Sequence, residues 1–180
     1  MARDPMAESA DRFRDALAHL VGGVTIVTSR GIQGEPRGLT ATAVASVSLE
    51  PPLVMACLGK SSHTHGAIEA SGVFALNFLA RSGQEMATRF SRSGEDKYED
   101  VEVRYGVTGA PLLPHTMAYC DCTVVEVVPA GDHTLFIGRV EQAGADVPER
   151  DESGAEERSG GQPLLYYRGR YAGLVELGTE

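Results

Sequence analysis

Two long apolar runs, "MAYCDCTVVEVV" and "HTLFIGRVEQA", stand on either side of "PAGD" in the second half of the chain. Gly131 and Asp132 supply turn chemistry, and the β-branched and aromatic residues on both sides suit strands, so the pair predicts an antiparallel hairpin. The rest of the sequence offers it partners. "VTIVTS", "LTATAVASVSL", "LVMACLG" and "VFALNFL" each read as a strand, and "PLLYYRGRYAGLVEL" closes the chain as two short strands around Arg168-Gly169. Helices are few and short: one over residues 13–21 stopped by Gly22-Gly23, one over 63–70 and one over 82–92. Many strands without regular strand-helix alternation argue for a closed or nearly closed antiparallel barrel, mainly β with a few short helices. No G-x-G-x-x-G fingerprint follows a first strand, which argues against a Rossmann nucleotide domain.

A chain of 180 residues suits one core, and we expect a single domain over residues 11–177 after a flexible tail at 1–10. The segment 144–162, "GADVPERDESGAEERSGGQ", is acidic and glycine-rich and reads as a surface loop. With 25 acidic against 16 basic residues the formal charge is −9, a field that repels nucleic acid while leaving room for a small phosphate-bearing ligand in a pocket of hydroxyls and amides. Three cysteines are too few for a disulfide framework. No apolar run approaches a membrane span and no export signal opens the chain, so the cytoplasm is the expected compartment.

Chemistry concentrates in three places. In "LTATAVASVSLEPP", Thr40, Thr42, Ser46 and Ser48 lie at even spacing and are expected on one face of a single strand, where buried hydroxyls need water, a subunit or a polar ligand. In "GKSSHTH", Lys60, Ser61, Ser62 and Thr64 cluster at the start of a helix, a place suited both to an anion and to ordinary capping. In "AGDHTLFIGRVE", His133 follows a turn that does not require it. His63 and His65 beside Cys120-Asp121-Cys122 raise a zinc reading, but cysteines at alternate positions of an apolar strand are ordinary core material, and no metal is expected.

"GGVTIVTS", "GLTATAVASVSLEPPLVMACLGKSSHTH", "FALNFLA", "DKYEDV", "GAPLL", "AYCDCTVVEVVPAGDHTLFIGRV" and "PLLYYRGRY" together resemble the short flavin reductases, the reductase components of two-component flavin-dependent monooxygenases. The resemblance implies an FMN-binding split β-barrel, usually a homodimer, that moves a hydride from NADH or NADPH to FMN or FAD and passes reduced flavin to a separate monooxygenase. By the same resemblance Thr42, Ala43, Ser46, Val47 and Ser48 contact ring and ribityl chain. Lys60, Ser61, Ser62 and Thr64 hold the phosphate, Asn77 and Phe78 flank the flavin, and His133 and Tyr171 stand on the nicotinamide side. Members often carry a bulky aromatic where this chain has Ala43-Val44-Ala45, which implies a roomier slot beside the ring. The residues also leave room for a flavoprotein that keeps FMN and acts directly on a small substrate, and for a flavin-binding domain without turnover.

Overall fold

A computed structural model describes the backbone of residues 5–94, 96–145 and 161–175. The interior of the expected acidic loop therefore lies outside the described residues. Helix α1 (Pro5–Leu17) reaches back into the stretch expected as a tail and ends earlier than its apolar spacing suggested. Strands β1 (Gly22–Gly23), β2 (Thr25–Arg30), β3 (Pro36–Ala41), β4 (Val44–Leu49) and β5 (Pro52–Gly59) follow, then α2 (His63–Ser71), β6 (Val73–Leu79) and α3 (Gln84–Ser91). A small pair, β7 (Arg104–Tyr105) and β8 (Pro111–Leu112), precedes the long strands β9 (Thr116–Ala130) and β10 (His133–Ala145). The chain closes with β11 (Leu165–Tyr167) and β12 (Arg170–Ala172).

Seven strands form one sheet in the order β3-β2-β6-β9-β10-β5-β4, antiparallel throughout. β3 and β4 are its two edges, yet only Thr42 and Ala43 lie between them in sequence. Laid flat, seven strands would place their edges about 29 Å apart, from six spacings of about 4.8 Å. Three consecutive Cα steps reach at most about 11 Å. The sheet must therefore curl until its edges almost meet, which makes it split-barrel-like, with the seam bridged by the chain and not by a ladder.

The expected single strand "LTATAVASVSL" is accordingly two strands on opposite edges. A register shift between Ser46 and Ser48 further breaks the alternation, so the four hydroxyls do not share one strand face. Side chains pointing inward fill the barrel: Val27, Leu76, Phe74, Cys122, Phe136 and Ala56 pack together, and Leu39 and Val44 from the two edges join the same cluster. Ile68 of α2 plugs one end. Outside the barrel, α3 brings Ala87 and Phe90 against Val24 and Ile26, with Leu113 and Leu164 completing a second core.

Two details of β10 show how tightly the barrel is filled. The hairpin loop narrows to Gly131 and Asp132, since His133 pairs with Ala130. Gly131 has φ 59, the place a two-residue hairpin turn reserves for glycine. Gly138 sits at a register shift, where an added Cβ would lie 2.5 Å from Cε1 and Cζ of Phe74. Gly138→Ala should destabilise the protein by about 1–3 kcal/mol, as overpacking does, read as a lower denaturant midpoint with an unchanged slope.

Candidate functional site

The start of α2 is fixed by Ser62, whose extended backbone and Oγ cap the helix by accepting a hydrogen bond from the His65 N–H at 3.1 Å. This capping is the bland role that sequence allows for a serine here, and it still leaves the hydroxyl proton free to donate. Ser61, Ser62 and Thr64 line a cleft of about 440 Å³ together with Gly38 and Thr40 of β3 and with Arg92, Lys97 and Tyr98 beyond α3. Thr64 is only 2% exposed.

The "DKY" turn builds the far wall. Lys97 Nζ donates to Gly38 O at 3.1 Å and to Phe90 O at 3.2 Å, and the Tyr98 hydroxyl donates to Arg37 O at 2.7 Å. Burial lowers the Lys97 ammonium from its ordinary pKa and raises the Tyr98 phenol well above its own. Gly38 has to be glycine, because a Cβ would meet Phe90 Cε1 and the Tyr98 hydroxyl at 2.7 Å. Thr40 Oγ1 donates to Ala87 O at 2.6 Å, so this hydroxyl ties β3 to α3. Arg37, Arg92, Lys97 and Tyr98 were not singled out from sequence. "DKY" carried a visible signal, but nothing in the spacing of the arginines could announce a cleft assembled from three distant segments.

From the cleft an exposed path follows the seam. Thr42, Ala43, Ser46 and Val47 are exposed and Ser48 is half-buried. β4 runs antiparallel to β5, with Val44 opposite Ala56 and the Cys57 N–H donating to Ala43 O at 2.9 Å. Each step back from Ser46 to Ala43 is thus a step along β5 toward α2. Of the hydroxyls expected on one face, Thr40 lines the cleft, while Ser46 and Ser48 stand opposite Val54 and Leu53, toward the end of β5 away from α2.

His133 opens β10 opposite Gly59, and Leu135 stands opposite Cys57. Ala56, Leu58, Thr134 and Phe136 are buried inward, so Cys57, Gly59, His133 and Leu135 face outward, on the side of Ala43. His133 Nδ1 donates to Asp132 Oδ1 at 2.8 Å. A carboxylate only accepts, so this bond places a proton on Nδ1 and directs Nε2 toward Gly59, where a Cβ would lie 3.8 Å away. The hydrogen bond from His133, then its charge, holds the Asp132 carboxyl below its ordinary pKa. Sequence reading took Asp132 as turn material only; its adjacency to His133 was the available signal.

The remaining expected residues take the following places. Lys60 was grouped with the phosphate hydroxyls, but its Nζ donates to Gly131 O at 2.7 Å and its N–H to Asp132 O at 3.0 Å, which ties it to the hairpin tip. Asn77 and Phe78 were expected to flank one ligand together, yet neighbours on a strand face opposite sides. Asn77 is fully buried: its amide donates to Ile26 O and Thr28 Oγ1, and its Oδ1 accepts from Leu113 N–H, so this side chain braces the core. Phe78 is half-buried against the barrel interior. Tyr171 is half-buried on the second core and meets Tyr166 edge to face at 5.6 Å. Tyr166 pairs with Gly22, which lies directly against Thr42, so the tyrosine pair stands at the Thr42 end of the path.

Cys120 and Cys122 both turn into the barrel, where burial raises their pKa values and leaves them as inert thiols. Burial, then the nearby Asp132 charge, also raises Cys57. Among the described residues no three His, Cys, Asp or Glu side chains converge as metal ligands would, and no helix is long and apolar enough to cross a membrane.

The family profile described as "Flavin reductase like domain" matches residues 17–175. A probable flavin reductase of Rhizobium meliloti (strain 1021) is 37% identical over 159 residues, 88% of this chain, and the chain spans about half of that relative, 47%. The reductase subunit HsaB of a flavin-dependent monooxygenase from Rhodococcus jostii (strain RHA1) is 37% identical over 170 residues, covering 93% of this chain and 80% of its own. Among solved structures, the NADH:FAD oxidoreductase SgcE6 of Streptomyces globisporus C-1027, in complex with NAD and FAD fragments, superposes with a TM-score of 0.79 at 31% identity over 97% of both chains. With the profile covering nearly the whole chain and the same barrel in a solved relative, the chain belongs to the flavin reductase-like family.

Proposed function

We propose that this protein is an NAD(P)H:flavin oxidoreductase that moves a hydride from reduced nicotinamide to FMN or FAD and delivers reduced flavin to a separate monooxygenase. The observation that carries the reading is the register bringing Ala43, Cys57, Gly59 and His133 to one outer face, with Ser61 of the cleft two residues beyond Gly59 in the chain. The donor set suits a flavin phosphate: Ser61 and Thr64 offer hydroxyls, the first turn of α2 offers free N–H groups and the positive end of a helix dipole, and Arg92 supplies charge. Small side chains at Thr42, Ala43 and Ser46 leave the seam open to a flat ring. The flavin, when bound, supplies the hydride-accepting centre. The chain's own residues bind and orient. With Nδ1 held by Asp132, His133 presents Nε2 on the outer face, fitted to position an amide such as the nicotinamide carboxamide.

Residues 11–177 would act as one domain in the cytoplasm, and a second copy of the chain is the natural cover for apolar surface that one copy leaves bare. Phe13, Leu17, Leu20 and Val21 of the α1 segment are 50–73% exposed, and Leu49 at the β4–β5 turn is 91% exposed. Light scattering should return twice the 19.1 kDa chain mass; a fully active monomer would refute the dimer.

The activity is tested by anaerobic turnover of added FMN or FAD with NADH or NADPH. Saturation in flavin, with release of the reduced product, is expected. Thr64→Val should weaken FMN binding about tenfold, the loss of one phosphate bond of about 1.4 kcal/mol, while riboflavin, which lacks the phosphate, is unaffected. Ser62 is a poorer probe, since its loss also uncaps α2. His133→Ala should raise KM for NADH or slow flavin reduction about tenfold with flavin affinity unchanged, as stopped-flow reduction over a range of NADH separates binding from transfer.

A further inference from the structure

We propose that His65 is a positioning residue for His133: through the Thr134 hydroxyl it fastens the end of β10 that carries His133 to the helix whose first turn faces the cleft. The inference rests on the flavin reading above.

The end of β10 needs such a tie. His133 is the last paired residue on both sides of its strand, opposite Gly59 of β5 and Ala130 of β9. Only Gly131 and Asp132 lie beyond it, so the ladder stops at the residue whose place matters most, and the ends of elements fray more readily than their centres. Two contacts from the segment 60–65 close on this end. Lys60 holds the tip on one side of His133, its Nζ donating to Gly131 O at 2.7 Å and its N–H to Asp132 O at 3.0 Å. His65 holds the other side, where its Nε2 and Thr134 Oγ1 share a hydrogen bond of 2.8 Å. His133 is thereby bracketed, with its own Nδ1 bound to Asp132.

The second tie is buried. His65 is 5% exposed and Thr134 2% exposed, and the imidazole meets the buried Phe136 edge-on at 5.1 Å. An apolar pair would fill this space without the cost of burying two polar groups. What the polar pair adds is direction, because a hydrogen bond fixes both a separation and an angle. Glu69 Oε2, 3.4 Å from His65 Nδ1, steadies the ring from its other nitrogen. The chain neighbours show what the direction serves. Thr64, one residue before His65, lines the cleft, and His133, one residue before Thr134, faces outward where Thr134 faces in. One buried bond sets the phosphate end of the site against the nicotinamide end, and hydride transfer tolerates little error in that separation.

Stopped-flow reduction of the flavin-loaded protein over a range of NADH tests this, with wild type, Thr134→Val, Thr134→Ser, His133→Ala and the double variant Thr134→Val/His133→Ala. Thr134→Val keeps the β-branched shape and removes the hydroxyl, whereas Thr134→Ser keeps the hydroxyl. Thr134→Val should weaken NADH binding or slow the limiting reduction about fivefold while flavin affinity shifts less than about twofold, and Thr134→Ser should stay within about twofold of wild type. In the His133→Ala background Thr134→Val should cost nothing further, since the residue it positions is gone. Wild-type kinetics in Thr134→Val or in His133→Ala, an equal loss in Thr134→Ser, a matching loss of flavin affinity, or the same factor in both backgrounds would overturn the inference. A wild type that reduces no flavin with NADH fails differently, since it removes the flavin reading of the whole site, whereas an active wild type with an unaffected Thr134→Val removes this inference alone.

Discussion

Two residues, Thr42 and Ala43, carry the chain from one edge of a seven-stranded sheet to the other, and the rest of the architecture follows from that short bridge. Because the edges must almost touch, the sheet encloses an interior, and because the bridge replaces a ladder, the seam keeps backbone and hydroxyl groups that no neighbouring strand claims. One side of the seam is covered: α3, Lys97 and Tyr98 bind the carbonyls and hydroxyl of β3. The other side stays open. The polar groups of that side meet solvent or a bound molecule, and the cleft begins at Thr40, two residues before Thr42.

The electrostatics of the site oppose the average. A chain of net charge −9 would repel a phosphate at long range, yet Arg37, Arg92 and Lys97 gather around the cleft from β3, the end of α3 and the turn after it. The basic groups are brought together by folding and are scattered in sequence. At the hairpin, the opposite arrangement holds: Asp132 borders His133 in the chain itself and needs only a two-residue turn to reach it.

That contrast explains what was legible. The hairpin, the strand character of most apolar runs and the helix starting after "GKSS" follow from local spacing and turn residues, and they stand in the structure. The break inside "LTATAVASVSL" is not local: nothing in its composition tells that its halves belong to opposite edges, and the four hydroxyls were therefore assigned to a face that does not exist. Asn77 illustrates the same limit. A polar residue in an apolar strand points equally to a ligand or to a buried network, and only the positions of Ile26, Thr28 and Leu113 decide for the network. Short pairs such as Arg104–Tyr105 with Pro111–Leu112 lack any periodicity to detect.

The pairing of Gly22 with Tyr166 joins residues 144 positions apart, and the Val24 N–H reaches Leu164 O at 2.9 Å. During synthesis β1 therefore emerges long before its neighbour exists, and the tyrosine pair beside Thr42 assembles only when the last segment of the chain is available. Contacts of such long sequence separation place the fold among slow folders, whose early strand edges stand unpaired meanwhile. A truncation that removes β11 and β12 would therefore take away more than a small sheet, since it would also leave β1 unpaired beside Thr42.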